Sequence, residues 1–511
     1  MKKITFLSLA LALSAGTMFS ETVQVTTTDM NAETAGSLPY VIANAPDGAE
    51  TTIEFNFTGE QLDYADAGIP IGAKNLIIDG INKSNSKPVI IKGTTNLFNI
   101  SSADAKVNMS NLIMTGCNAI VLKITGGSVN FDKCVFHDNI DISVEAGKGN
   151  NGGVMRISGG NITIKNSLFY KNKGLGGYGG GAICVYDNVK LRVENCTFTE
   201  NEGYSGGAIG VNVRAKKGFI PTVYIANSTF ANNITADRGG ALYMQTAETT
   251  GVFKPVIVNC TFVGQLNGKD GGAVLFWSRN TTSMKPVLIN NLFAANHIDP
   301  WDKNSAQDAH AFYLEGALDI NGKPLPQTVF PITKNNLYIA AQDKFFATAN
   351  GDKVVEFANL FKEIEKNPLD EGDDFFNHQS SKLSGDLRVA MIAENSAAVG
   401  AGVASYDTYE IPTTDQLGKN RPSTPSVGAV EYGTTGISDN IVNDSNAKIW
   451  NVGNELHFSG IEGNNSVEVF DLAGKMVFNG NIECDSSITI NNVTNGVYIV
   501  KVANAVAKVI F

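Results

Sequence analysis

Apolar and polar residues alternate in short runs through the middle of the chain. Val189 to Val193 reads Val-Lys-Leu-Arg-Val, and Val223 to Ile225 reads Val-Tyr-Ile. A period of two is that of a strand with one buried face, not of a helix. Between these runs a phrase recurs from Phe131 to Leu314: Phe-x-x-Asn, a loop, then Gly-Gly-Ala and an aliphatic residue. The first half stands at Phe136 to Asn139, Phe169 to Asn172, Phe198 to Asn201, Phe230 to Asn233 and Phe293 to Asn296, with Phe262 to Gln265 keeping the register. The second half has its second glycine at Gly153, Gly181, Gly207, Gly240 and Gly272, steps of 28, 26, 33 and 32 residues.

A period of this size means units stacked into a solenoid or a propeller. Three positions before each aromatic stands Asn166, Asn195, Asn227, Asn259, Asn290 or Asn335, followed by a small residue such as Cys134, Ser167, Cys196, Ser228 or Cys260. Asparagine tolerates left-handed backbone and bonds its neighbours, which suits a tight bend. In-register stacking sets each asparagine ~4.8 Å from the next, close enough for an amide ladder through Asn166, Asn195, Asn227, Asn259 and Asn290. Gly-Gly permits close backbone approach at the opposite corner. The predicted fold is all-β, a right-handed parallel β-helix followed by a small β-sandwich. Propeller blades, at about 40 residues or more, are too long for this spacing.

The paired phrases resemble the polymorphic outer-membrane-protein repeat, Phe-x-x-Asn with Gly-Gly-Ala-Ile, Val or Leu, over about the middle third of the chain. The resemblance implies a pectin-lyase-like scaffold and, for most members, a surface adhesin or passenger domain. The same fold carries polysaccharide lyases and hydrolases, so it leaves the activity open.

The flanks follow from the same reading. Met1, Lys2 and Lys3 precede an apolar run from Ile4 to Leu13, so 1–20 is expected to be a secretory signal peptide. Ser37 is a fitting N-cap for a helix with Leu38, Val41 and Ile42 as its apolar face, covering the open end of the first coil. Opening coils are expected at Leu76 to Gly80, Val89 to Ile91 and Val107 to Met114. After Leu314 the phrase decays, and Lys344 to Glu365 reads as partly helical, with Val354, Val355, Phe357, Leu360 and Phe361 on one face. Asn395 to Gly402, Thr414 to Pro422 and Val427 to Tyr432 resemble the segment that closes secreted bacterial β-helices, with Ala397 in place of the usual proline and Ser426 in place of an acid. The β-helix with its cap thus spans 21–432, and 433–446 is a polar linker. Residues 447–511 carry strand signals at Glu455 to Phe458, Ser466 to Asp471, Ile488 to Ile490, Val497 to Val502 and Ala507 to Phe511. Val467 to Lys475 and Asn495 to Val500 resemble the type IX secretion sorting domain. That resemblance implies recognition by outer-membrane secretion machinery, and a product that is secreted or held at the cell surface.

Composition narrows the partners. The net charge of −11 and the absence of a basic stripe argue against nucleic acid. No later segment has the length and apolarity of a transmembrane helix, and a monomeric rod is expected. Cys134, Cys196 and Cys260 occupy equivalent places in alternate units, about 10 Å apart, beyond disulfide reach. They read as a buried column of small side chains, and Cys117, Cys184 and Cys484 have no obvious partners. Aligned on Gly-Gly, the preceding residues are Ser205, Arg238, Asp270 and Asp308. Stacking would bring Asp270 and Asp308 to about 5 Å, with Arg238 and His310 nearby, a spacing suited to acid–base sugar chemistry or to Ca²⁺. The alternative is an acid–arginine ladder at a solvated corner. Tyr178 and Tyr204 are expected to stack on adjacent coils as a platform for a sugar ring or partner, and Trp277, Arg279 and Trp301 are further binding candidates. Asp370 to Asp374 reads as a solvated turn. No metal site is expected and no cofactor beyond a possible Ca²⁺. The leading expectation is a surface or secreted protein that binds a polysaccharide or a host or partner component. The other is a lyase or glycoside hydrolase working in the groove.

Overall fold

In the computed structural model the described residues are 20–142, 152–174, 176, 179–186, 188–213, 220–246, 251–268, 272–278, 284–298, 331–339, 348–362, 387–432 and most of 448–510. They form two units, 1–433 and 434–511 by contact, each described by itself. The signal-peptide expectation and the acidic run from Asp370 to Asp374 lie outside the described residues.

The first unit is a parallel β-helix, and one coil shows how it is made. Val189–Glu194 alternates, with Val189, Leu191 and Val193 inward and Lys190, Arg192 and Glu194 outward. Asn195 turns the corner at φ 55° into the second face, Thr197–Thr199. Glu200, at φ 56°, turns the next corner into the short strand Glu202–Ser205. Gly206 and Gly207 lead into the third long face, Ile209–Val213. The chain then rises to the next coil, where Thr222–Ala226 pairs in parallel with Val189–Glu194. Repetition gives an eight-stranded third face, from Ile69–Ile71 to Val274–Ser278.

Like residues stand above like. The rings of Phe136, Phe169, Phe198, Phe230, Phe262 and Phe293 stack face to face inside the rod at 4.6–5.1 Å between centroids. At the first corner Asn195 donates to Asn166 Oδ1 (3.1 Å), Asn227 to Asn195 (3.2 Å), Asn259 to Asn227 (3.3 Å) and Asn290 to Asn259 (3.0 Å). A second ladder, entirely buried, runs through the asparagines of Phe-x-x-Asn. Asn139, Asn172 and Asn201 each donate to the next asparagine Oδ1 at 3.0 Å, and Asn233 to Gln265 Oε1 at 3.0 Å. Each amide in this ladder also reaches back to the coil below, as Asn201 Nδ2 does to the Phe169 carbonyl (3.0 Å). The small column is likewise bonded: Ser167 Oγ accepts from Cys134 N (3.1 Å) and Ser228 Oγ from Cys196 N (3.2 Å). All six cysteines are free thiols, and only Cys484 is exposed. Burial pushes the Cys117, Cys134, Cys196 and Cys260 thiols up to about 12.

The ends are closed differently. Helix α1, Leu38–Asn44, has Ser37 Oγ accepting from Tyr40 N at 3.2 Å, and Leu38 and Ile42 are fully buried in the same core as the first coils. Before it, Glu21–Val25 pairs in parallel with Glu50–Phe55, a strand the hydrophobic pattern did not mark. At the other end the helix expected within Lys344 to Glu365 is replaced, where described, by a single turn at Thr348–Asn350 and by Lys353–Val354, which pairs with Leu337–Tyr338. Phe357, Leu360 and Phe361 are buried all the same, in a second core on the outside of the coils.

That outer core is covered by 387–432, which doubles back along the rod. Ala401 O accepts from Asn335 Nδ2 (2.7 Å), Val403 exchanges two hydrogen bonds with Asn290, and Thr414 O accepts from Asn227 Nδ2 (2.7 Å). Arg421 locks the segment. Its guanidinium donates to Asn227 Oδ1 (3.1 Å), to the Gly428 and Ala429 carbonyls and to Glu431 (3.2 Å). Glu431 in turn accepts from the Ser426 amide and hydroxyl, so the serine bonds the glutamate directly where the resemblance leads to an acid. Among the described residues the strap's hydrogen bonds to the coils go to the first and second faces, leaving the eight-stranded face outside its path.

The second unit has a three-stranded antiparallel sheet, Lys448–Val452, Glu455–Ser459 and Ser487–Thr489, and a four-stranded one ordered Met476–Glu483, Asn464–Asp471, Val497–Val502 and Ala505–Ile510. Leu456, Phe458, Val467, Val469 and Val500 are among its core residues.

Three outcomes follow from this packing. A Cβ at Gly181 would lie 2.1 Å from the Gly207 carbonyl oxygen. Gly181→Ala should therefore cost about 3 kcal/mol, read as a lower urea midpoint. Arg421→Ala leaves Glu431 buried without its counter-charge and should cost about 3–5 kcal/mol, with cleavage by protease appearing first within 387–432. A thiol-exchange reagent at pH 8 should modify one cysteine, Cys484, in the native chain and all six only after denaturation.

Candidate functional site

The structure describes some of the expected rim residues and not others. Ser205 and Arg238 are paired at the end of the short strands, past a shift of register after Gly203, and Arg238 is half-buried. Tyr204 is half-buried beside them, its carbonyl accepting from Thr235 Oγ1 at 2.7 Å. Trp277 lies on the last strand of the eight-stranded face. Asp270, Asp308, His310, Tyr178, Arg279 and Trp301 lie outside the described residues. The described residues contain no group of three or more His, Cys, Asp or Glu able to hold a metal.

A different line of side chains is brought together at the far edge of the eight-stranded face. Ile124, Ile157, Val185, Val211, Met244 and Phe276 point inward and are fully buried. They lie in register from coil to coil. The residue after each falls on the outer side of the wall: Thr125, Ser158, Tyr186, Asn212, Gln245 and Trp277. With ~4.8 Å between rungs, this line runs ~24 Å along the rod. Its character changes on the way, from exposed hydroxyls to a half-buried phenol, two buried amides and a half-buried indole.

Neighbouring groups hold the line in place. The Arg156 guanidinium lies over the Tyr186 ring at 5.3 Å, a cation–π contact. Tyr243 Oη donates to Gln245 Oε1 (2.7 Å), and Gln245 Nε2 donates to Asn212 Oδ1. At the Thr125 end the line enters a trough of about 740 Å³ that crosses the corner between the eight-stranded face and the first face. Asp104, Lys106, Asn161 and Asn188 are on its walls, and Gly126, Gly127, Gly159 and Gly160 on its floor. A Cβ at Gly159 would sit 2.4 Å from the Thr125 carbonyl oxygen, so the stacking that builds the coils also keeps this floor bare.

The sequence contained a signal for this line. Ser158, Tyr186, Asn212, Gln245 and Trp277 each stand five positions after the second glycine of their Gly-Gly pair. Alignment on the residues before Gly-Gly leads to Arg238 and Asp270, whereas alignment after it leads here.

Residues 89–293 match the family model of the right handed beta helix region, and residues 452–510 match the secretion system C-terminal sorting domain. The chain is a right-handed β-helix with a type IX sorting tail. The antiparallel unit from Lys448 onward is thus the part addressed to the secretion machinery, and the β-helix is its cargo. Export through that system takes the protein to the cell surface or the medium. Among the described residues no helix is long and apolar enough to cross a membrane. No curated protein matches the chain.

Proposed function

We propose that the exported β-helix binds an extended polymer, a polysaccharide or a component of a host or partner surface, along the edge of its eight-stranded face, and performs no chemistry on it. The observation that carries this reading is the in-register line from Thr125 to Trp277. A chain laid parallel to the rod meets the exposed hydroxyls of Thr125 and Ser158 and the half-buried rings of Tyr186 and Trp277, so several weak contacts add along one ligand. Hydroxyls and aromatic rings are among the groups that hold polyhydroxylated chains, because rings stack on their C–H faces and hydroxyls bond in either direction. Export places the line where such polymers are met.

The test is incubation of the mature protein with a panel of neutral and acidic glycans, reading retention and product together. Retention without product is expected. Tyr186→Ala should weaken it by about threefold to tenfold, the worth of one stacked ring. Unsaturated-uronate absorbance or new reducing ends, abolished by Asp270→Ala or Asp308→Ala, would instead establish the lyase or hydrolase reading.

A further inference from the structure

Several outward cations on this rod are answered by an acid on the next coil. Lys165 meets Glu194 at 2.9 Å, Lys173 meets Glu202 at 2.7 Å and Lys171 meets Glu200 at 3.8 Å. On the eight-stranded face that pattern is reversed. Lys123 is in register with Arg156, so two cations stand on neighbouring rungs with ~4.8 Å between their backbones. Both are exposed, and neither is in an ion pair among the described residues. The rungs to either side offer no acid, since Asn99 precedes Lys123 in the column and the buried Cys184 follows Arg156. Like charges at this spacing repel, and they do so here on a chain whose net charge is −11. A bound anion would offset that repulsion.

The same two strands lead into hydroxyls. Thr125 and Ser158 follow Lys123 and Arg156 by two positions, on the same outer side of the wall, and both are exposed. The Tyr186 ring lies against the Arg156 guanidinium at 5.3 Å and orients it. A guanidinium held on a ring keeps its N–H edge for a carboxylate or sulfate, which it can grip with two parallel bonds. The trough beyond Thr125 does not cancel the charge. Asp104 and Lys106 on its walls balance each other in sign, and Asp47 is paired with Lys74 at 2.9 Å.

We infer that Lys123, Arg156, Thr125 and Ser158 form a subsite for an acidic sugar unit, its anionic group between the two cations and its hydroxyls on Thr125 and Ser158. The inference rests on the polymer-binding reading and narrows the polymer to an acidic polysaccharide at the Thr125 end of the line.

Calorimetry on the mature chain tests it. Tetragalacturonate supplies carboxylates, a chondroitin sulfate tetrasaccharide supplies sulfate, cellotetraose is neutral, and tetraglutamate carries carboxylates without a sugar. At least one acidic tetrasaccharide should bind about tenfold more tightly than cellotetraose, and which of the two does so identifies the anion. Lys123→Gln and Arg156→Gln should each weaken that binding about fivefold to tenfold, the worth of one charge-assisted contact at a wet surface, while Arg156→Lys should keep part of it. Lys165→Gln removes the same charge from a paired lysine elsewhere on the rod and should leave the affinity within about twofold, which separates a local contact from a change in net charge. All these side chains point to solvent, and thermal melts matching the parent's confirm that the variants are folded. Acidic sugars bound equally by the parent, Lys123→Gln and Arg156→Gln would overturn the subsite, as would tetraglutamate binding as tightly as the acidic sugars. Retention of neutral glycans alone would also overturn it and leave the polymer line standing. Failure of every glycan in the wider panel to bind the parent would remove the polymer line as well.

Discussion

Vertical registry is the constraint on which the rest of this rod depends. A parallel β-helix turns its backbone at every corner, and each turn leaves polar groups that strand ladders do not pair. Here the corners are paired to one another. The outer ladder from Asn166 to Asn290 links first corners held at φ between 47° and 55°. The inner ladder through Asn139, Asn172, Asn201 and Asn233 links second corners and ties each to a backbone carbonyl on another rung, Met114 for Asn139 and a phenylalanine for the other three. An amide both donates and accepts, so it can bond up and down the column at once. Threonine or serine has only one donor for the same task.

The strap makes sense against that ladder. An asparagine on an outer corner has lone pairs and N–H groups facing sideways as well as along the column. At Asn227 those sideways positions are met by Thr414 O and by the guanidinium of Arg421. Arg421 is itself almost wholly buried, and burial lowers its pKa while Glu431 and Asp415 act to raise it. The pair is thus stabilised only within the folded strap, where Asp415 also accepts from Glu431 N at 2.8 Å. Closure of the strap and completion of the outer ladder are one event in bonding terms. The five thiols of the β-helix are sealed by the packing of the coils, which explains free cysteines there in a chain that is exported.

What the sequence disclosed, and what it withheld, follows from which residues face inward. Inward columns repeat one residue type because one shape must fill each rung, and so Phe136 to Phe293 and Cys134 to Cys260 can be read from spacing alone. The outer ladder was legible because left-handed corners select asparagine. The inner ladder was hidden in plain view: Phe-x-x-Asn marked the repeat, but only the stack shows its asparagine bonding the next one. At the same corner Lys171, Glu200 and Ala295 adopt positive φ without any preference that would announce it. Outward lines vary from rung to rung, so Ser158, Tyr186, Asn212, Gln245 and Trp277 share a position and no chemistry. In the second unit Met476–Glu483 went unmarked because it is an edge strand with only Ile482 buried, which erases the alternation. Phe357 and Leu360 read as a helical face because burial against the outside of coils needs no period.

Registry also explains how such a rod can recognise a chain molecule at all. A site assembled from one coil would span only a few residues, and a loop would have to be held in shape to enlarge it. In a stacked wall the neighbours of an outward side chain are supplied by the coils above and below, at a spacing the inner columns impose. The wall therefore tolerates change on its outer line while its period stays fixed. Thr125, Ser158 and Tyr186 can differ freely because Ile124, Ile157 and Val185 beneath them do not. Rigidity and variability are separated by a single position along the strand. The physical basis for recognition is this: a ruler made by the core, with its markings chosen independently on the surface.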